Sequence, residues 1–186
     1  MPRLFDNEAE IKNYLVQAAS EPANIKVTAD GKQRLSYRNL GIKIGVTCYV
    51  LAQGRVLILE RSPLVNFGGR WGTVCGYIDT LEIIQNSNQI YCDHLIEEFQ
   101  EEVGWAISDP TMLTYCGTHA LIQPQLKIHF EIFSLLLIDE PPAITLNLEH
   151  IRCRWVNLQT IAELRPLLIT QFLECLEKAI VTNKLN

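Results

Sequence analysis

No run of this 186-residue sequence reaches the roughly 20 apolar residues that a membrane-spanning helix requires. The longest apolar runs, near Ile132–Ile138 and Gly45–Ala52, have the length of strands. The N-terminal residues lack the basic, apolar, small-residue order of a secretory signal. Asp6, Glu8 and Glu10 occupy the place of its apolar core, so export by that route is not expected. Positive charge is also scarce: 16 Lys and Arg against 21 Asp and Glu leave a net charge of −5 and an isoelectric point near 5.4. A polyanion would be repelled, so nucleic acid is not an expected partner. No two of the six cysteines (Cys48, Cys75, Cys92, Cys116, Cys153 and Cys175) have C-x-x-C spacing, so a zinc ribbon or dithiol redox motif is unsupported. Their flanks are mostly apolar, which favours free thiols in a reducing cytoplasm.

What is present is a chain 48% apolar and 20% charged, too apolar for a disordered tail. Its length suits one domain with a terminal extension, able to bury a core without staples. Residues Glu8–Ala19 read as an amphipathic helix, with Asn7 and Glu10 at capping-box spacing and Ile11, Leu15 and Ala18 on one face. Ser20–Asn39 reads as a connecting arm punctuated by Pro22, Asp30 and Gly31, with short strands at Ile25–Thr28 and Leu35–Tyr37. Ile42–Ala52 and Arg55–Glu60 form a hairpin about Gln53-Gly54. A glycine-rich loop, Asn66–Arg70, leads into Trp71–Ile78.

After a polar stretch at Gln85–Gln89, Tyr91, Leu95, Phe99 and Val103 recur every fourth residue, and Gly104 stops the helix they define. Further strands are expected at Met112–Thr118, Lys127–Ile138 and Arg152–Val156, with Asp139–Leu148 as a loop. Leu158–Leu164 is turn-rich, and Pro166 is expected to open a last helix with Leu168, Phe172, Cys175, Leu176 and Ile180 inward. Strands interspersed with helices indicate an α+β fold with a mixed sheet between helices.

The densest chemical signal is Glu97-Glu98-Phe99-Gln100-Glu101-Glu102-Val103-Gly104-Trp105. On a helix Glu98, Glu101 and Glu102 share one ridge, which suits a hard divalent cation in need of several oxygen ligands. A solvated acidic face is the alternative. Against it, like charges at i,i+4 cost about 0.2–0.5 kcal/mol per pair. The helix C-terminal end also disfavours anions. No Lys or Arg lies between Glu82 and Trp105 to offset them.

Gly76, five residues, Glu82, then Glu97-Glu98-Phe99-x-Glu101-Glu102-x-Gly104-Trp105 resembles the Nudix box, G-x5-E-x7-R-E-U-x-E-E-x-G-U with U apolar. Val56–Arg61 before a Gly-rich loop, then Trp71-Gly72 and later Arg154-Trp155-Val156, are similar to flanking segments of the same family. The resemblance spans roughly Ile42 to Phe172. It implies the Nudix fold, a mixed β-sheet sandwiched between α-helices, in a hydrolase domain over residues 40–186. Residues 1–39 then form an N-terminal helix and connecting arm, docking either on their own domain or on a second copy, as a homodimer would require.

Two departures stand out. The x7 segment is fourteen residues here, with seven expected as an insertion within Ile83–Gln89 that lengthens the loop. The box arginine, which in the family pairs with a box glutamate, is Glu97, so pairing with Glu101 becomes repulsion. Glu97 is read in three ways. It points outward, or it adds a ligand or raises a neighbour's pKa, or it marks a chain that has lost efficient catalysis. On the last reading, Glu97→Arg would raise activity.

The resemblance implies metal-dependent hydrolysis of a nucleoside diphosphate linked to a moiety X, in a compound such as ADP-ribose, a dinucleotide or a nucleotide sugar. Glu98, Glu101 and Glu102 are the implied Mg²⁺ or Mn²⁺ ligands, with the Gly76 carbonyl, and Glu82 braces the loop or the metal shell. Glu98 and Glu102 are also the implied catalytic carboxylates. The general base in many members is a loop glutamate before a late strand, for which Glu149 is the candidate; a surface-loop acid is the alternative. Arg70 and Arg61 are candidates for phosphate contacts. Trp71 and Phe67 are candidates for base stacking, with core packing as the alternative for each. His119 and His129 carry no ligand spacing. A nucleotide-binding sensor of the same fold, catalytically weak, is the rival reading. An acidic α+β domain without a metal site, acting through its arm, is the third.

Overall fold

The computed structural model describes residues 4–28 and 31–185, so Asp30 of the expected arm lies outside the described residues. Helix α1 (Glu8–Ser20) starts at Asn7, whose side-chain oxygen accepts from the Glu10 amide. The Glu10 carboxylate reaches back to the Asp6 amide. Strands β1 (Ile25–Val27) and β2 (Gln33–Leu35) pair antiparallel, Ile25 opposite Leu35. Tyr37, expected in a strand, sits instead in a 3₁₀ turn, where its hydroxyl donates to the Ile78 carbonyl at 2.7 Å. That buried bond ends the strand, since the hydroxyl finds its partner only if the chain turns.

Strand β3 (Lys43–Ala52) organises the sheet and is buried from Ile44 to its end. It pairs with β4 (Arg55–Arg61) through only Leu51–Val56 and Ala52–Arg55. The expected hairpin therefore splays, and β6 (Val74–Tyr77) takes the same edge of β3 over Gly45–Cys48. Strand β5 (Trp71–Gly72) and strand β9 (His150–Asn157) both pair with β4. On the other edge of β3, β8 (Leu126–Leu137) runs parallel, and β7 (Leu113–Gln123) closes the sheet antiparallel to β8. The result is a mixed sheet with helices on both faces, as the α+β reading requires.

One face packs Ile44, Val46, Cys48 and Val50 against α1 and α3 (Ile90–Val103). The other packs Tyr49, Leu51 and Ile58 against α4 (Phe172–Thr182). The arm belongs to the first core: Ile11, Leu15, Leu35 and Tyr37 are buried in it. It docks on its own domain.

Three local expectations are corrected. The insertion is not a loop, because Leu81–Asn86 form a short helix, α2, that buries Leu81 and Ile84. Those two residues are spaced i,i+3, a helical signal just ahead of the polar stretch. Pro166 does not open the last helix. It lies within a 3₁₀ segment, Ile161–Leu167, and α4 begins only at Phe172. The intervening chain is taken up by β5, with the Ile169 amide donating to the Trp71 carbonyl at 2.9 Å, so Leu168 is not helical. The sheet itself is as expected in kind, but β7 runs to Gln123, well past Thr118. Gly104 does end α3, in a left-handed conformation (φ 74°) that lets the Trp105 amide reach the Phe99 carbonyl. Among the described residues no helix is long and apolar enough to cross a membrane. All six cysteines are free.

The arm is an integral part of the core. Leu35→Ala should lower the unfolding free energy by about 2–5 kcal/mol. Fluorescence and circular dichroism should follow one shared urea transition. An early separate transition would show that the arm melts independently.

Candidate functional site

Helix α3 buries Phe99 and Val103 toward β3, and Glu98 and Glu102 adjoin that inner face. Both carboxylates are buried, Glu98 at 9% exposure and Glu102 at 2%. The pair lies against β6, where a Cβ on Gly76 would overlap the Glu98 carboxylate. A side chain at 76 would displace the Glu98 carboxylate from this position. The Cys75 amide donates to Glu102 Oε2 at 3.1 Å.

Burial pushes the Glu98 carboxyl above its ordinary pKa, with nearby His94 opposing the rise. Burial pushes Glu102 up further, and the Glu98 charge adds to it. Two buried carboxylates in mutual repulsion gain from a bound cation, because its charge reverses this balance. The residues present fit a divalent ion in donor chemistry: two hard carboxylates, with the Gly76 backbone beside them. Among the described residues, no three His, Cys, Asp or Glu side chains converge as a complete protein cage.

Glu101 departs from the expected ridge. It is half-exposed and pairs with Arg34 of β2 at 3.0 Å and with Lys32 at 3.5 Å. The cause is helical geometry. Four residues bring Glu102 back beside Glu98, while Glu101 is turned away from Glu102 by roughly 100°. Glu97 does not simply repel Glu101. It lies on the same outer side, where its carboxylate accepts from the Thr80 hydroxyl at 2.5 Å and from Lys32 at 3.0 Å. Arg34 stands 3.7 Å from Glu97 and also binds Asp79 at 2.8 Å. The arm thus supplies cations between Glu97 and Glu101 that the box sequence lacks.

His94 is fully buried one helical turn before this cluster. Its Nε2 lies 3.1 Å from Glu98 Oε1 and its Nδ1 3.6 Å from Glu97 Oε2, neither with hydrogen-bond alignment. Burial opposes its charge, but the Glu97 and Glu98 carboxylates outweigh that and raise its pKa to about 9. His94 in turn leads the groups that hold Glu97 well below the usual carboxylate range.

At the far end of β4, Arg61 donates to the Asn66 carbonyl at 2.8 Å and stands 3.7 Å from the Glu149 carboxylate. Glu149 is half-exposed at the start of β9 and its charge is felt at Glu102. His150, next in the chain, is buried with Nε2 3.9 Å from Glu102. Burial, then the Arg61 charge, lowers its pKa to about 4, so it is neutral. The structure therefore groups Gly76, Glu98, Glu102, Arg61 and Glu149.

Four other candidates lie elsewhere. Arg70 is engaged by the Pro166 carbonyl, in a separate cleft of about 510 Å³ that it lines with Phe67 and Leu168. Glu82 is exposed in the first turn of α2 and lines an outer groove with Glu97 and Glu101. Trp71 is buried with the Arg154 guanidinium 4.9 Å from its ring centre, while Phe67 is exposed. Burial drives the Cys75 thiol far above its ordinary pKa, which disfavours a thiolate.

Comparison with solved structures places this geometry. The MutT protein from Methanosarcina mazei Go1 is 21% identical with a TM-score of 0.60, covering 78% of this chain and 98% of that one. The Nudix domain of Shewanella oneidensis NrtR, solved with ADP ribose, is 16% identical with a TM-score of 0.58, covering 97% of this chain and 100% of that one. The chain has the Nudix fold. A bifunctional NMN adenylyltransferase/ADP ribose pyrophosphatase from Francisella tularensis, complexed with AMP and a Mn ion, matches at 12% identity and a TM-score of 0.56. That match covers 92% of this chain and 46% of the other. No protein-family model and no curated protein sequence matches the chain. In this Nudix fold the arm contacts to Glu97 and Glu101 are the feature that the box pattern did not foretell. His94 had a readable signal, the i,i+3 and i,i+4 spacing to Glu97 and Glu98; Arg34 and Lys32 had none.

The position of Arg34 gives Glu97→Arg a cost in stability. A second guanidinium there would face Arg34 and Lys32. The substitution should destabilise the protein by about 1–3 kcal/mol, the range for stranding a buried polar partner. Glu97→Gln, which removes the charge without adding a cation, should cost less. Equal urea midpoints for Glu97→Arg and the unaltered chain would sink this account.

Proposed function

We propose that the protein hydrolyses a nucleoside diphosphate linked to another moiety X, at the Glu98–Glu102 pair and with Mg²⁺ or Mn²⁺. The observation that carries this reading is the burial of both carboxylates, with Glu98 seated in the space that a Cβ on Gly76 would fill. Such a pair is costly without a cation and useful with one. Glu98 and Glu102 would hold the ion together with the Gly76 carbonyl. A bound divalent ion supplies charge neutralisation to a diphosphate and lowers the pKa of water.

The chain's own groups do the rest. The Cys75 amide and His94 hold the two carboxylates in position. Arg61 offers a guanidinium suited to a phosphate oxygen. Glu149 is exposed enough to accept a proton from the attacking water. Glu101 and Glu82 take outer positions, Glu101 bracing the helix through Arg34. Arg70 is a weaker phosphate candidate than Arg61, because its guanidinium is already engaged. The neighbours solved with ADP ribose, and with AMP and Mn, put ADP-ribose at the head of the substrate panel.

One observation favours the rival sensor reading: Glu101 is held by the arm, so only two of the box carboxylates face inward. Phosphate-linked release from a panel of ADP-ribose, dinucleotides and nucleotide sugars, with and without Mg²⁺ or Mn²⁺, separates the two. Metal-dependent cleavage is expected. Glu98→Gln should lower turnover by more than about a hundredfold, beyond what outer partners of a metal site usually cost. It should also abolish the metal-induced rise in melting temperature while leaving the fold intact. Wild-type turnover in Glu98→Gln would remove the site assignment. Metal-dependent binding of the panel without cleavage would establish the sensor.

A further inference from the structure

A cavity of about 400 Å³ lies at the other end of α3 from the acid pair, bounded by the start of α1, by α3 and by β7 and β8. Four rings line it: Phe5, Tyr91, Tyr115 and Phe133. On its β8 side Glu131, 3% exposed, accepts from the Tyr115 hydroxyl at 2.8 Å and lies 2.7 Å from His129 Nε2. An ionised carboxylate only accepts, so Nε2 carries the proton of that bond. Nδ1 of His129 is buried with no partner among the described residues, and it is an acceptor in the tautomer that gives Nε2 that proton. The Tyr91 hydroxyl is also buried with no partner among the described residues, on a residue 8% exposed. Each Glu131 oxygen keeps lone-pair capacity beyond its one bond. Asp6 and Glu8 add negative charge at the rim, and no Lys or Arg is among the described residues lining the cavity.

The groups facing this space therefore ask for a donor with positive charge. Unmet buried acceptors are unfavourable. Aromatic rings attract cations through the negative potential of their faces. A hard metal ion is a poorer match, because a single buried carboxylate falls short of the several oxygens it needs. A phosphate or carboxylate ligand would meet three acids and, among the described lining residues, no Lys or Arg. We propose that this cavity binds a small organic cation, an ammonium or guanidinium group on a short apolar chain. The site is independent of the hydrolase reading: it shares no residue with the Glu98–Glu102 pair, and its ligand is recognised by Glu131, His129 and Tyr91.

Agmatine is a suitable probe, with butanamide as a neutral control. Calorimetric titration of the full chain at roughly 0.15 M salt, where loose surface pairing is screened, should show agmatine binding and butanamide not. Agmatine should raise the melting temperature. Glu131→Gln should weaken agmatine at least about tenfold, the loss expected for a hydrogen bond to a charged group. Tyr91→Phe keeps the ring and removes the hydroxyl. It should weaken binding by a smaller factor and serves as the test if Glu131→Gln fails to fold. No agmatine binding, equal binding of butanamide, or unchanged affinity in a folded Glu131→Gln or in Tyr91→Phe would overturn the proposal.

Discussion

Two carboxylates buried against a strand are the constraint around which the rest of this structure is arranged. Glu98 and Glu102 sit next to the apolar face of α3, so the packing that stabilises the helix also drags their charges out of water. That arrangement is unfavourable unless the charges are answered. Gly76 leaves the space, the Cys75 amide gives Glu102 a donor, and His94 gives Glu98 a cation from the same helix. The chemistry proposed for the site rests on the demand that these partners leave unmet.

The outer acids of the helix are answered from a different direction. Glu97 and Glu101 meet Lys32 and Arg34, which come from the N-terminal arm. The arm is itself anchored by apolar burial of Ile11, Leu15 and Leu35. Local repulsion along α3 is thus relieved by a tertiary contact whose stability derives from elsewhere in the core. A charge that looks like a defect in the box is part of an ion cluster in the fold.

Helix α3 also connects two chemically different ends. Its C-terminal half carries the buried acid pair, and its first turn carries Tyr91 beside the aromatic, acceptor-rich cavity. Both ends are electronegative and buried, but they differ in hardness. One presents carboxylates to a small ion, the other presents rings, an imidazole and a single carboxylate to a larger one.

The sequence by itself determined the elements whose signals are local. Strand β3, the turn at Gln53-Gly54, the four-residue recurrence from Tyr91 to Val103 and the stop at Gly104 all follow from periodicity and capping within a few residues. So do the types and spacing of the box carboxylates. Their division was partly legible, since Phe99 and Val103 fix the inward face and leave Glu101 well to one side. Leu81 and Ile84 carried a helical spacing, but over too few residues before the polar stretch to mark a helix. Only the tertiary structure decided that β4 leaves β3 after two pairs, that Leu168 is drawn to the edge of β5, and that Arg34 answers Glu101. These are contacts across tens of residues. They exist because separate segments bury surface against one another, and no short window of sequence encodes which segment will be the neighbour.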